Sequence, residues 1–258
     1  MFKSTRSKTA GAERLLCLLD QNADPNAVRN EYGARYLAAE HGSIDCVKSL
    51  LEYHADVHKT TEPRLETALH LATWQHDLEL FLKKLSLLQE YGVHLDAQNV
   101  DGETVLHFLI RRLRSTKAIE AMLLASASTE KRRCNGHTPL IYALHLGQED
   151  KATVLLNAGA DTNVQDEQGR NTLHFAIAPR SISVEFIGQL LNANVDIKHT
   201  DQDGHTPLFD AVKLKRDNVI HLLLDRGGDC ELGNGGDERY LAQVKLWRRI
   251  KLVISSFL

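Results

Sequence analysis

GHTPLIYALHLGQEDKATVLLNAGADTNVQDEQG, residues 136–169, holds one complete structural unit and the first residue of the next. Thr138 is placed to cap a helix: its hydroxyl can accept from an amide of the following turn, and Pro139 at the first helical position needs no donor. Leu140, Ala143 and Leu144 recur at helical spacing. Gly147 breaks that helix, a second carries Val154, Leu155 and Leu156, and Gly159 closes it in a left-handed conformation. The tract from Ala160 to Gly169 then turns toward a new copy. A helix pair of this kind has two apolar faces and cannot bury both alone, so it must stack on neighbours.

Those neighbours are present. Gly102 opens GETVLHF, Gly169 opens GRNTLHF and Gly204 opens GHTPLFD, so that successive glycines stand 34, 33 and 35 residues apart. A fifth phrase, ETALHLA from Glu66, puts Leu65 where the glycine would be, 37 before Gly102. An outer helix reads from Arg14 to Leu19 and ends in NADPN, with Asn22 in the glycine's place. The next copy holds Ala38, Ala39, Gly42, Val47, Leu50 and Leu51, and its opening, GARYLAA, is two residues short. In the copies at Leu69, Leu106 and Leu173 the span from inner helix to outer helix is stretched. Ala72 to Leu87 is 15 residues and Ala176 to Leu190 is 14, against 12 for Ala143 to Leu155, which calls for a longer turn or an extra helical turn.

A period this near 33 with T-P-L-H phrases resembles the ankyrin family, from about Glu13 to Glu231. The resemblance implies an all-α ankyrin-repeat solenoid of about six to seven helix pairs with short hairpin-like turns. Residues 1–258 then form a single ankyrin-repeat domain, with repeats over about 13–231. A solenoid needs an atypical unit over its last core face. Residues 237–258 are expected to supply it as a C-terminal capping helix, with Leu241, Val244, Leu252, Val253 and Phe257 inward and Arg248, Arg249 and Lys251 outward.

Composition bounds the function. The chain is 43% hydrophobic and 25% charged, enough apolar material for a sizeable core. Its net charge of −3, from 31 basic and 34 acidic residues, provides no global field for nucleic acid or an anionic membrane. No run of about 18 uncharged apolar residues exists, which excludes a spanning helix. Cys17, Cys46, Cys134 and Cys230 are far apart without a C-x-x-C pair, and Met1 to Ala10 lacks the apolar segment of a secretory signal. The expectation is a soluble, monomeric protein of the cytoplasm, with the nucleus as the second location.

Chemistry-bearing motifs are missing. The sequence has no H-E-x-x-H, no Cys/His cluster at zinc spacing, no G-x-S-x-G, no phosphate loop and no dinucleotide fingerprint. The expectation is therefore no catalytic residues, no metal and no cofactor. The glycine-rich tract from Gly228 precedes no strand–helix cradle and reads as a join. His70, His107 and His174 fall on the histidine of the T-P-L-H phrase. In the family that imidazole bonds to a neighbouring repeat's loop, so the resemblance implies a structural role. Arg111, Arg112, Arg114 and Lys117, followed by the KRR from Lys131, read as a solvated rim, as a local patch for an acidic partner or as a nuclear import signal.

The resemblance further implies that a partner lies on the concave side, over the turn tips and the exposed ends of the inner helices. By repeat phase those positions include Glu103, His137, Arg170 and His205 beside the turn glycines, which read as positions the fold leaves free. At the inner-helix ends they are Trp74, Gln75, Arg111, Arg112, His145 and Lys213. Trp and Arg are the types enriched at energetic hot spots, although Trp74 also fits packing against its own stretched turn. The function expected is a non-enzymatic scaffold, inhibitor or adaptor with a protein partner. The alternative is an enzyme or small-molecule binder using His137, His145, Arg111 and Arg112 for acid–base work.

Overall fold

The computed structural model describes residues 13, 15–26, 28–29, 32–33, 44–74, 77–112, 115–228, 242 and 246. Two compact units, residues 1–134 and 135–258, are described in turn. The expected capping helix at 237–258 and the short opening GARYLAA lie almost wholly outside the described residues.

In the first unit residues 15–20 are helical, and Leu19 is buried. A two-residue antiparallel pair follows, β1 (Val28–Arg29) with β2 (Tyr32–Gly33). The helices are α1 (Ile44–Glu52), α2 (Ala68–Ala72), α3 (Leu78–Glu90), α4 (Val105–Arg112) and α5 (Lys117–Leu124). Inner helices α2 and α4 pack on one another, as do outer helices α1, α3 and α5 in sequence, and each inner helix packs on the outer helix that follows it. The second unit repeats this plan with inner helices α6 (Pro139–His145), α8 (Thr172–Ile177) and α10 (Pro207–Lys213). Its outer helices are α7 (Glu149–Asn157), α9 (Val184–Asn192) and α11 (Asp217–Asp225). Five complete helix pairs thus stand among the described residues, and the all-α repeat fold is as the sequence implies.

The phrase residues explain why the pairs form. Thr67, Thr138 and Thr206 cap α2, α6 and α10 through their hydroxyls, and Asn171 takes over for α8. Leu69, Leu106, Leu140, Leu173 and Leu208, all at one phase, are at most 1% exposed. Each such leucine contributes roughly 2 kcal/mol by leaving water. The stretched copies at Leu69 and Leu173 accommodate their extra residues differently. α3 runs 13 residues where α7 and α9 run nine, while α8 ends at Ile177 and a six-residue turn through Pro179 leads to α9.

Left-handed residues close the outer helices, and the sequence read their places correctly: Asn22 has φ 62° and Gly159 has φ 83°. The turn tips need the same conformation and something more. A Cβ at Gly102 would stand 2.9 Å from the carbonyl oxygen of Arg132 in the next tip. Leu65, in the corresponding place, holds φ 55° on a tip one residue longer, where Thr61 Oγ1 accepts from the Glu66 amide.

The phrase histidines tie one repeat to the next. His70 Nδ1 accepts from the Thr67 amide at 3.2 Å, so Nε2 carries the proton it donates to the carbonyl of Glu103 at 3.1 Å. His174 does the same between the Asn171 amide (3.3 Å) and the carbonyl of His205 (3.1 Å). Burial pushes both imidazoles down to about 4, against the opposing pull of those carbonyl bonds.

Candidate functional site

The residue after each turn glycine begins the site. In the first unit it is Glu66 and Glu103, and both are buried, at 4% and 2% exposure. The reading of such positions as free surface is therefore corrected for Glu103. Its amide donates to Asn99 Oδ1 at 2.8 Å and its carbonyl serves His70, so the backbone is pinned and the side chain lies under the next tip. Two guanidiniums meet its carboxylate: Arg111 Nη2 at 3.5 Å from Oε2, and Arg133 Nη2 at 3.1 Å from Oε1. Arg111 comes from the last turn of α4, eight residues on. Arg133 comes from the following tip, within the KRR that reads in the sequence as a solvated rim or a local basic patch. Its phase is the signal that could have found it, since the tips at Gly102, Gly169 and Gly204 carry Asn99, Asp166 and Asp201 at that place.

Glu66 is held less closely, with Arg64 Nη1 3.9 Å from Oε1. Burial raises its carboxyl above the usual range, opposed by the charges of Arg64 and Arg112. Arg112 is the member that stands apart. Its guanidinium carbon lies 3.6 Å over the Trp74 ring and 5.5 Å from that of Phe108. It forms no hydrogen bond and no ion pair among the described residues, and burial lowers its pKa, with Arg111 adding to the effect. Trp74 Nε1 and Arg112 Nε are among the buried nitrogens that lack an acceptor. The structure thus brings together Trp74, Glu103, Arg111 and Arg112. Gln75 lies outside the described residues.

In the second unit the corresponding positions carry His137, Arg170 and His205. His137 is 4% exposed, so here too the free-surface reading is corrected. Its ring lies 5.3 Å from that of His145 and 5.0 Å from Phe175, with Nε2 3.9 Å from Asp166 Oδ2. Arg170 grips the same oxygen twice, through Nη2 at 2.7 Å and Nε at 3.0 Å, and Nη2 also meets Gln168 Oε1 at 2.9 Å. Asp166 Oδ1 meanwhile accepts from the amides of Gln168 and Arg170, which shapes the tip. His205 stacks on Phe209 at 4.0 Å, with Nδ1 3.6 Å from Asp201 Oδ2, and Lys213 Nζ lies 5.9 Å from the same Phe209 ring. Burial and the Asp201 charge raise the Asp210 carboxyl to about 6, against His205 and Lys213.

Asp201, Asp203 and His205 bring one possible ligand atom each within 4.8 Å. Asp201 Oδ1 is occupied there by the amides of Asp203 and His205. Asn99 and Asp166 build the same turn, so the grouping is explained by backbone geometry. No helix among the described residues is long and apolar enough to cross a membrane.

The profile for ankyrin repeats (3 copies) matches residues 7–84, 80–166 and 154–234, and the chain belongs to the ankyrin-repeat family. Ankyrin repeats are generally protein–protein interaction modules. Neurogenic locus notch homolog protein 1 of Xenopus tropicalis is 29% identical over 66% of this chain and 6% of its own length. SH3 and multiple ankyrin repeat domains protein 2 of Homo sapiens is 28% identical over 76% of this chain and 10% of its own. The chain therefore spans about a tenth or less of these relatives. Among solved structures, the ankyrin repeat domain of Bcl-3, described as a unique member of the IkappaB protein family, superposes with a TM-score of 0.70 at 23% identity. It covers 85% of this chain and 94% of that one. An ankyrin repeat domain from Acinetobacter baumannii AYE gives 0.65 at 22%, covering 76% and 98%. At these identities the structural likeness speaks for the fold.

Proposed function

We propose that this chain is a non-enzymatic binding array, a scaffold, inhibitor or adaptor that engages a partner protein over its repeat tips and inner-helix ends. The observation that carries the reading is Arg112: a half-buried cation stacked on an aromatic ring, with no ion pair or hydrogen bond among the described residues. Trp and Arg in this setting are typical of energetic hot spots. The proposal includes residues 1–258 acting as one array, since the repeat phrase continues through residue 134 without a break in period. It also includes a monomer working in the cytoplasm. The test is an affinity capture comparing the wild type with a Trp74→Ala/Arg112→Glu variant that melts at the same temperature. Proteins retained by the first and lost by the second identify the partner; identical captures overturn the placement.

The acid–base alternative has one observation in its favour, the His137–His145 ring pair beside Asp166. Two hollows of about 360 and 330 Å³ are lined by other residues, Arg180, Lys215 and Arg216 for the first and Leu82, Leu85 and Leu124 for the second. Turnover abolished by His137→Ala or His145→Ala, with bell-shaped pH dependence, is the result that establishes this alternative.

A further inference from the structure

The guanidiniums of the first unit differ in how their donors are used. Arg111 and Arg133 are committed to Glu103, and Arg64 lies near Glu66. Among the described residues Arg112 meets only the faces of Trp74 and Phe108. Its Nε is a buried unpartnered atom, and neither Nη is, so both Nη groups reach solvent. Beside it, Trp74 Nε1–H is a second buried donor without an acceptor. Buried polar groups are ordinarily satisfied, and a pair of adjacent donors left over, one of them cationic, calls for an anionic acceptor.

The surroundings set the size and class of that acceptor. Four cations, Arg64, Arg111, Arg112 and Arg133, stand against the two buried carboxylates Glu66 and Glu103, and cations still lead four to three when exposed Asp101 is counted. Glu103 fixes two of the guanidiniums through a residue that is itself 2% exposed, so the positive groups are held in place before any ligand arrives. The Trp74 face restricts the Arg112 plane in the same way, which suits the two-oxygen geometry of a carboxylate. The patch is open, and a lone carboxylate there exchanges water for one or two bonds, too little for a stable complex. A chain bearing several acids gains from all four cations. Nucleic acid fits less well, because a protein of net charge −3 with a local excess of only one or two charges neutralises few phosphates.

We propose that Arg112 and Trp74 form the seat for a carboxylate side chain on an acidic peptide segment of the partner protein, with Arg64, Arg111 and Arg133 binding the acids that flank it. This rests on the protein-binding reading and gives that partner a chemistry.

The test titrates the folded full chain into a fluorescein-labelled dodecapeptide of alternating glutamate and serine. The lysine-for-glutamate peptide and a single-stranded oligonucleotide of matched charge serve as competitors for the same assay. The acidic peptide is expected to bind, to weaken severalfold between 50 and 300 mM NaCl by screening, and to lose at least tenfold in affinity on Arg112→Glu. Arg112→Lys, which keeps the charge and loses the planar stack, falls between. Arg180→Glu, a charge change of equal size in the second unit, leaves binding unchanged. Thermal melts accompany every variant, and Arg112→Gln stands in if Arg112→Glu fails to fold. Acidic-peptide binding that is indifferent to Arg112, or a lysine peptide that binds through it, overturns the inference. Tighter oligonucleotide binding lost on Arg112→Glu overturns it in favour of nucleic acid. If the affinity capture depends on Arg112 while no acidic peptide binds, the acidic chemistry is wrong and the protein-binding reading survives. If neither depends on Arg112, both fail.

Discussion

The position after the turn glycine is filled by acids in the first unit, Glu66 and Glu103, and by bases in the second, His137, Arg170 and His205. The two choices lead to different chemistry. In the first unit the buried acids recruit arginines, and Arg112, one helical step beyond Arg111, makes no ion pair or hydrogen bond among the described residues. In the second unit the acids belong to the tips, Asp166 and Asp201, and the bases face them: Arg170 spends three contacts on Asp166 and Gln168. One arginine therefore builds its repeat and the other is the one we propose for a ligand, although both lie over aromatic rings, Phe175 at 4.5 Å and Trp74 at 3.6 Å.

The largest expected effect concerns a phrase imidazole that is buried in each unit, His70 in the first and His174 in the second. Both are pushed down to about 4, while an unfolded histidine titrates near about 6.5. Between those values the unfolded chain takes up protons that the folded chain refuses. Stability therefore falls as pH drops through that window and levels off below it, by up to roughly 3 kcal/mol per imidazole. Asp210, raised to about 6, acts in the opposite sense over the acid part of the range, so the clean measurement is a difference. His174→Ala should lose about 2 kcal/mol at pH 7 through the unpaired His205 carbonyl and Asn171 amide. It should also flatten the slope of urea-unfolding free energy between pH 6.5 and 4.5 and leave partner affinity unchanged. Normal stability with lost function would instead point to chemistry at that imidazole.

The two arginines divide next. Arg170→Ala strips the fully buried Asp166 carboxylate of its closest cation and should cost about 2 kcal/mol of stability. Arg112→Glu should leave the melting temperature within a degree or two and weaken partner binding at least tenfold, about 1.4 kcal/mol. Parallel melting and binding measurements on both variants decide the matter. A destabilised Arg112 variant with a tolerant Arg170 would reverse the contrast.

Much of the fold was legible because the repeat encodes it locally. Thr138, Pro139 and Leu140 specify cap, first turn and core within three residues, and Asn22 advertises its left-handed place by its type. The stretched copies were legible only as a count, since nothing in the sequence chose between the longer α3 and the longer turn after Ile177. The site was less legible still. Glu103 reads as a solvated turn acid, and its burial depends on Arg133, 30 residues away, and on His70, 33 residues back. Such partners meet only after stacking. Trp74, Arg111 and Arg112 were recoverable because their phase alone places them at inner-helix ends.

The smallest effect compares how the units close an outer helix. After α5 the left-handed residue is Ser126, at φ 70°, donating its amide to the Leu123 carbonyl; after α7 it is Gly159, at φ 83°, doing the same to Leu156. Ser126 is exposed, so replacing it removes no buried surface. A Cβ at Gly159 would meet nothing within 4 Å, so a substitution there strains the backbone and nothing else. An ordinary side chain in this region costs about 1–2 kcal/mol, while glycine gives back part of that through a freer unfolded chain. Ser126→Gly should therefore stabilise by about 0.5 kcal/mol and Gly159→Ala destabilise by about 1 kcal/mol, as read by urea unfolding, with neither touching partner affinity. Opposite signs would establish that the two units use one closing geometry with different residues. If both substitutions destabilise, the Ser126 hydroxyl contributes a bond worth more than the strain it accompanies.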